Sequence, residues 1–240
     1  MKKILFAGAL TLAALQMNAE ESKVIRISTD QTDLILKVGE NGRLYQTYLG
    51  EKLLHEADVN RFSWDIHAGS DGSISQRGWE VYSGSGNEDY FEPAVAITHN
   101  DGNTSTYLYY VSSSTSPVEG GTQTTINLRD DKYPVDVTLK ENVIKTWSEI
   151  KHQEKKPIIL STYASTMLYF CRSSYYLTEF SSDWAKEARM SSQQLQFGKK
   201  VIDTKLGSRA AMHTHPFFEV GLDQPVSENQ GDVLMGTLGW

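Results

Sequence analysis

Hydrophobic and polar residues alternate with period two along much of this chain. Thr124, Ile126 and Leu128 fall on one face of one segment, and Val135, Val137 and Leu139 oppose Asp136, Thr138 and Lys140 in the next. That period is the mark of half-buried antiparallel strands. Shorter β-branched runs cover 24–28 and 34–38, and further candidate strands cover 143–150, 158–164, 167–171 and 175–180 at the 8–12-residue spacing of a sandwich or barrel. Counted together the candidates come to about fourteen strands, with no long amphipathic helix. Residues 53–60 read equally as a helical turn or a loop. Gly39-Glu40-Asn41-Gly42 and Asn100-Asp101-Gly102-Asn103 carry the residues of hairpin turns, and 112–121 reads as a polar loop tip. Two stacked antiparallel sheets are expected, in one domain, because no linker-like stretch divides the chain.

Val135, Val137 and Leu139 lead into 143–150 with almost no turn, leaving Glu141-Asn142 as the connection. Glu-Asn is a poor two-residue hairpin loop, so this hairpin is either shortened or has lost a piece.

The amino terminus alters the picture. Met1-Lys2-Lys3, an apolar run from Ile4 to Leu15 and a small residue at Ala19 have the layout of a secretory signal. The apolar run is short for a membrane span. Residues 1–19 are therefore expected to be removed, leaving 20–240 as an exported, periplasmic or secreted chain with no membrane span. The formal charge of −7 becomes more negative when Lys2 and Lys3 leave, and no run of Lys or Arg remains. Nucleic acid is excluded as a partner, since phosphate binding needs clustered positive charge. Cys171 is the only cysteine, so export brings no internal disulfide. Within Met167-Leu168-Tyr169-Phe170-Cys171 it reads as core rather than as a nucleophile.

Chemistry-bearing residues concentrate in 77–93, where glycine, serine, acids and rings replace the strand pattern. A short carboxylate or amide beside aromatic rings can hold sugar hydroxyls while a ring face covers the C–H side. Trp79 is read as the loop tryptophan here, whereas Trp147 and Trp184 lie in strand patterns and read as core. Gly84-Ser85-Gly86 lacks the third glycine and the helix of a phosphate loop. His213-Thr214-His215 could share an ion on one strand face, but no third ligand completes the set and no metal or other cofactor is assigned.

The second half of the chain carries a more specific signature. Asp183-Trp184-Ala185-x-Glu187, Gly198, a strand at Val201-Ile202-Asp203, Leu206-Gly207-Ser208-Arg209, Pro216-Phe217-Phe218, Glu228-Asn229-x-Gly231 and Gly236-Thr237-Leu238-Gly239-Trp240 occur in order. Upstream stand Val143-Ile144-x-x-Trp147-Ser148 and Leu160-Ser161-x-Tyr163-Ala164-Ser165. Together they resemble the amino-terminal domain of the family 36 glycoside hydrolases, the α-galactosidases. The resemblance implies an all-β, two-sheet antiparallel supersandwich of galactose-mutarotase type, preceding a catalytic (β/α)8 barrel that this chain does not contain. It implies a retaining enzyme releasing terminal α-linked galactose from oligosaccharides, with both catalytic aspartates on the barrel. No catalytic residue is therefore assigned, and the chain alone is expected to be inactive. The domain would shape the substrate entrance and pack on the barrel, with a homo-oligomer possible.

The resemblance also carries a substrate-binding acid onto the loop, at a position that this sequence leaves open. Counting forward from Gly84 puts Asn87 there, and counting back from Pro93 puts Asp89 there. Asp89, Asn87 and Trp79 are the expected substrate contacts. Two alternatives stand beside this reading: a stand-alone exported carbohydrate-binding β-sandwich, and the inactive product of a truncated gene. A sandwich enzyme acting on sugars directly would need a convergent His and Glu, which spacing alone does not locate.

Overall fold

Two runs of alternating apolar residues, one near each end of the first 140 positions, build the two sheets that enclose the core. The computed structural model describes residues 23–61, 79–86, 92–142, 145–170, 172–203 and 213–238. Residues 1–19, expected from the sequence to be a leader, lie outside the described residues. The chain falls into two compact units that divide between Tyr169 and Phe170.

In the first unit, β1 (Val24–Ser28), β2 (Thr32–Val38), β3 (Leu44–Glu51) and β4 (Trp79–Glu80) form one antiparallel sheet in chain order. A second sheet joins β6 (Leu108–Val118), β7 (Gly121–Asp130), β8 (Val135–Asn142) and β9 (Lys145–His152), again in order. β5 (Val95–Thr98) pairs with β10 (Ile159–Tyr163). Ile25, Ile27, Leu34, Leu36 and Leu44 from the first sheet meet Ile126, Leu128, Val135, Val137 and Leu139 from the second in one buried cluster, which Val95, Ile97 and Tyr82 complete. The alternation of β7 and β8 is what aims these side chains inward, and each contributes about 1.5–3 kcal/mol on burial. The one helix among the described residues, α1 (Glu56–Arg61), occupies the stretch that the sequence left open.

β2 departs from alternation, since every position from Asp33 to Lys37 is buried. Burying Asp33 is possible because Arg26 meets it through Nε (3.2 Å) and Nη2 (2.6 Å), while Ser28 Oγ (2.5 Å) and the Leu53 amide (2.8 Å) also donate to it. Burial alone would raise this carboxyl, but the hydrogen bonds from Arg26, Ser28 and Leu53 together hold it below the usual range.

In the second unit, β11 (Tyr175–Ser182), β12 (Arg189–Gln194), β13 (His213–Ser227) and β14 (Gln230–Thr237) form one antiparallel sheet in the order β12-β11-β13-β14. Glu228-Asn229 makes the β13–β14 turn, with Gly231 at φ 114°. Phe180 and Phe217 rings meet at 5.2 Å between centroids, and the Asp223 carboxylate takes the Ser173 amide and hydroxyl at 2.8 Å each.

Several sequence expectations change. Asn100-Asp101-Gly102-Asn103 does form a turn, with Gly102 at φ 89° and a His99 amide bond to the Asn103 carbonyl. Its flanking strands nevertheless belong to different sheets, because turn chemistry fixes the reversal and not the partner. Residues 112–118 are polar yet form the outer half of β6, paired with β7 around Glu119-Gly120. Glu141-Asn142 is not the connection: β8 continues through it, Asn142 pairs with Lys145, and the joining residues 143–144 lie outside the described residues. Residues 167–170 and Val201-Ile202-Asp203 are not strands, and Cys171 is outside the described residues. Trp147 is half-buried and opposite Lys140, on the outer side of its sheet, and Trp184 is 87% exposed in the β11–β12 turn, so neither is core.

Glu141 sits at the inward register of β8, beyond Val135, Val137 and Leu139. It is 3% exposed, one carboxylate oxygen has no hydrogen-bond partner, and burial pushes its pKa up to about 7. Between about pH 4.5 and 7 the unfolded chain loses this proton while the folded chain keeps it, so stability falls as pH rises through that window. The expected loss is roughly 3 kcal/mol. Asp33, held low, has the opposite sign and destabilises only as pH falls through the acid range. Glu141→Gln is expected to abolish the decline between pH 4.5 and 7 in urea unfolding and to leave the acid limb unchanged.

Candidate functional site

The loop that sequence singles out emerges from a closely fitted root. β4 carries Trp79 and Glu80 against Gln46 and Tyr45 of β3, so Trp79 begins the anchored segment as a strand residue rather than standing on a free loop. Glu80 is buried and pairs with Arg43 at 3.5 Å, and the Arg43 guanidinium lies 5.9 Å from the Tyr107 ring. Tyr82, 1% exposed, reaches through the core to the Ala164 carbonyl (2.8 Å) and Ser148 Oγ (3.2 Å). Desolvation raises its phenol above the ordinary value, against both hydrogen bonds.

Beyond Tyr82 the backbone runs between two others. Ser85 donates its amide to the Val95 carbonyl (2.9 Å), the Val95 amide bonds the Ser83 carbonyl (3.2 Å), and the Thr106 amide bonds the Ser85 carbonyl (2.9 Å). Ser85 Oγ donates to the Thr104 carbonyl at 2.7 Å and Tyr107 OH to the Gly86 carbonyl at 3.2 Å. There is no room here for a side chain. A Cβ on Gly84 would lie 2.1 Å from the Thr106 carbonyl oxygen, and one on Gly86, whose φ is 76°, would lie 2.6 Å from Ser105 Oγ.

Residues 104–106 are held from the other side by His99. Its Nδ1 lies 2.7 Å from Glu154 Oε1, and its Nε2 lies 3.1 Å from the Ser105 carbonyl and 3.3 Å from Thr106 Oγ1. The ring stacks on Tyr133 at 3.6 Å, nearly parallel. The second Glu154 oxygen takes the Asn100 amide (2.9 Å) and side chain (2.5 Å). Burial alone would raise Glu154, but the hydrogen bonds from His99 and Asn100 together hold it below the usual carboxylate range. Sequence reasoning missed this pair, because Glu154 sits in the charged run Gln153-Glu154-Lys155-Lys156 that looks solvated. A His–Glu pair is what a direct sugar enzyme would need, yet the two side chains are 0% and 1% exposed and their polar atoms are engaged. The pair supports the root of the loop.

Asn87 and Asp89 lie outside the described residues, as does the side chain of Trp79. The His213-Thr214-His215 segment lies in β13, where His215 Nε2 meets Ser182 Oγ at 2.6 Å. Among the described residues no group of three His, Cys, Asp or Glu is placed to hold a metal ion, and no helix is long and apolar enough to cross a membrane.

Antiparallel sheets enclosing one core, with a glycine-lined loop root at one side, define this class: an all-β sandwich domain. Residues 42–240 match the model of the glycosyl hydrolase family 36 N-terminal domain, and the chain belongs to that family. None of the curated proteins matches it in sequence. Among solved structures, a variant of α-galactosidase AgaA from Geobacillus stearothermophilus, in complex with raffinose, superposes with a TM-score of 0.74 at 16% identity, covering 88% of this chain and 33% of that one. The α-galactosidase from Lactobacillus brevis gives 0.70 at 17% identity, covering 85% and 31%. The galactosidase domain of the α-galactosidase–sucrose kinase AgaSK gives 0.69 at 19%, covering 83% and 32%. The chain thus spans about a third of the length of these enzymes, and the likeness establishes the sandwich fold.

Gly84→Ala must push apart a pair of hydrogen-bonded backbones and is expected to cost about 3 kcal/mol or more in chemical denaturation. Gly102→Ala, at φ 89° but with open space around it, should cost only about 1 kcal/mol.

Proposed function

We propose that this chain is the non-catalytic amino-terminal domain of a retaining α-galactosidase that releases terminal α-linked galactose from oligosaccharides. The observation that carries the reading is the match over residues 42–240 to a domain for which the solved α-galactosidases named above devote about two-thirds of their chains to something else. The catalytic carboxylates belong to that remainder, on a (β/α)8 barrel.

Within this reading, Trp79, Asn87 and Asp89 reach toward the galactoside, and the fitted root at residues 84–86 supports that role by holding both ends of the contact loop. The second unit supports docking on a barrel. Trp184, Met190 and Met235 are 87%, 69% and 57% exposed, and large apolar side chains left exposed suit a protein partner. The domain is exported, its first 19 residues acting as a removable leader.

The size of the native product in source cells tests this, using an antibody raised against residues 20–240. A band several times heavier than 26.9 kDa is expected, together with no release of nitrophenol from p-nitrophenyl α-galactoside by the purified chain alone. A band at the size of the chain would overturn the assignment to a barrel-bearing enzyme.

A further inference from the structure

We propose that Asn41-Gly42, in the β2–β3 turn, is a latent deamidation site that the Tyr45 phenol keeps closed in the folded domain. It is the only Asn-Gly pair in the sequence. Glycine has no Cβ to screen its backbone nitrogen, so that nitrogen can reach the side chain of the asparagine before it. The reaction needs nothing but water. The Gly42 nitrogen, its proton removed, bonds to Asn41 Cγ, and the bond from Cγ to Nδ2 breaks as Nδ2 takes up a proton and leaves as ammonia. Water then opens the cyclic imide at either carbonyl, which puts aspartate or isoaspartate at position 41.

The turn both prepares this chemistry and blocks it. Asn41 is exposed, so water and hydroxide reach it. The Arg43 amide donates to Asn41 Oδ1 at 3.1 Å, which draws electron density from Cγ and stabilises an oxyanion formed there. Two contacts oppose the step. The Gly42 amide donates to the Gly39 carbonyl at 2.9 Å, and an amide held in this way gives up its proton when the turn opens. Asn41 Nδ2 donates to Tyr45 OH at 2.8 Å, which ties the carboxamide to β3 and resists the rotation that bond formation needs. A Cβ on Gly39 would lie 2.9 Å from Asn41 Oδ1 and 3.0 Å from the Tyr45 ring, so the arrangement depends on the space that this glycine leaves.

The place of this turn gives the modification a consequence. Tyr45 is buried in the first sheet, so the group that holds the carboxamide is itself fixed. The Gly42 carbonyl accepts the Tyr110 amide at 2.8 Å, a bond that joins the β2–β3 turn to β6 of the other sheet. Isoaspartate carries one more methylene in the backbone immediately before Gly42 and moves that carbonyl. Conversion therefore acts at a point where the two sheets of the first unit are tied together.

This inference rests on the first unit alone and is independent of the α-galactosidase reading. Its test is incubation of residues 20–240 in mildly alkaline buffer, followed by trypsin digestion and mass spectrometry of the peptide 38–43, with a synthetic peptide of the same sequence as the unprotected reference. Conversion in the folded chain is expected to be at least about tenfold slower than in the peptide, and to rise to the peptide's rate in urea that unfolds it. Tyr45→Phe keeps the ring and removes the hydroxyl, and should speed conversion about fivefold. Gly39→Ala, whose added Cβ displaces the carboxamide, should speed it as well. Circular dichroism melts show that both variants fold. Conversion of the folded parent at the peptide's rate overturns the proposal, as does a parent-like or slower rate in either variant, or no conversion in urea.

Discussion

The contact on which the first unit depends is the approach of one backbone to another at residues 84–86 and 104–106. A glycine at 84 lets the Ser85 and Thr106 peptide groups exchange a hydrogen bond where any Cβ would meet a carbonyl oxygen. Everything on either side is arranged around that closeness. Val95 bonds both neighbours of Gly84, Tyr82 fixes the chain just before it, and His99 with Glu154 fixes residues 105–106 from behind. A loop whose root is determined by backbone contacts can vary in sequence at its tip without losing its position.

Three buried carboxylates show how differently the same group can be accommodated. Asp33 is surrounded by a guanidinium, a hydroxyl and an amide, and Glu154 by an imidazole and both nitrogens of Asn100. Both stay charged because donors replace the water they lost. Glu141 has no such shell for one of its oxygens, and it responds by holding its proton. The contrast is one of strand position. Asp33 and Glu154 lie where loops or neighbouring strands bring donors in, whereas Glu141 occupies a pleat that in β8 otherwise carries valine and leucine.

The strands themselves were legible wherever one side of the chain is apolar and the other polar. β7 and β8 could be read residue by residue, and β1 has the bounds that its composition indicates. Legibility failed where a property is non-local. The turn at residues 100–103 was visible, but its arms pair elsewhere: β6 turns back on β7 through Glu119-Gly120, and β5 takes β10 from far along the chain. The serine-rich half of β6 was hidden because serine writes no preference that distinguishes an exposed strand from a loop. His99 and Glu154 stand 55 residues apart and nothing in either neighbourhood announces the other. Trp147 was misplaced for a related reason: period two gives two faces, and it does not say which one is covered; Trp184 was misplaced because it stands in the β11–β12 turn and not in a strand.

The two units expose opposite chemistries, and this bears on how such a domain works beside other chains. On the first, the β6–β9 sheet turns outward hydroxyls, amides and paired charges linked across strands. On the second, tryptophan and methionine side chains remain exposed next to a turn whose geometry is costly to maintain, with Ala185 at φ 58° and Ala188 at φ 52°. Alanine in that region costs about 1 kcal/mol or more at each position. The turn is held by the Glu187 carboxylate on the Ala185 amide and by Ser182 Oγ on the Ala188 amide. The strain is thus met by specific hydrogen bonds on both sides of an exposed tryptophan. The asymmetry between the units therefore lies in their surfaces: polar groups linked across strands on the outer sheet of the first, and an exposed tryptophan on a strained, specifically bonded turn in the second.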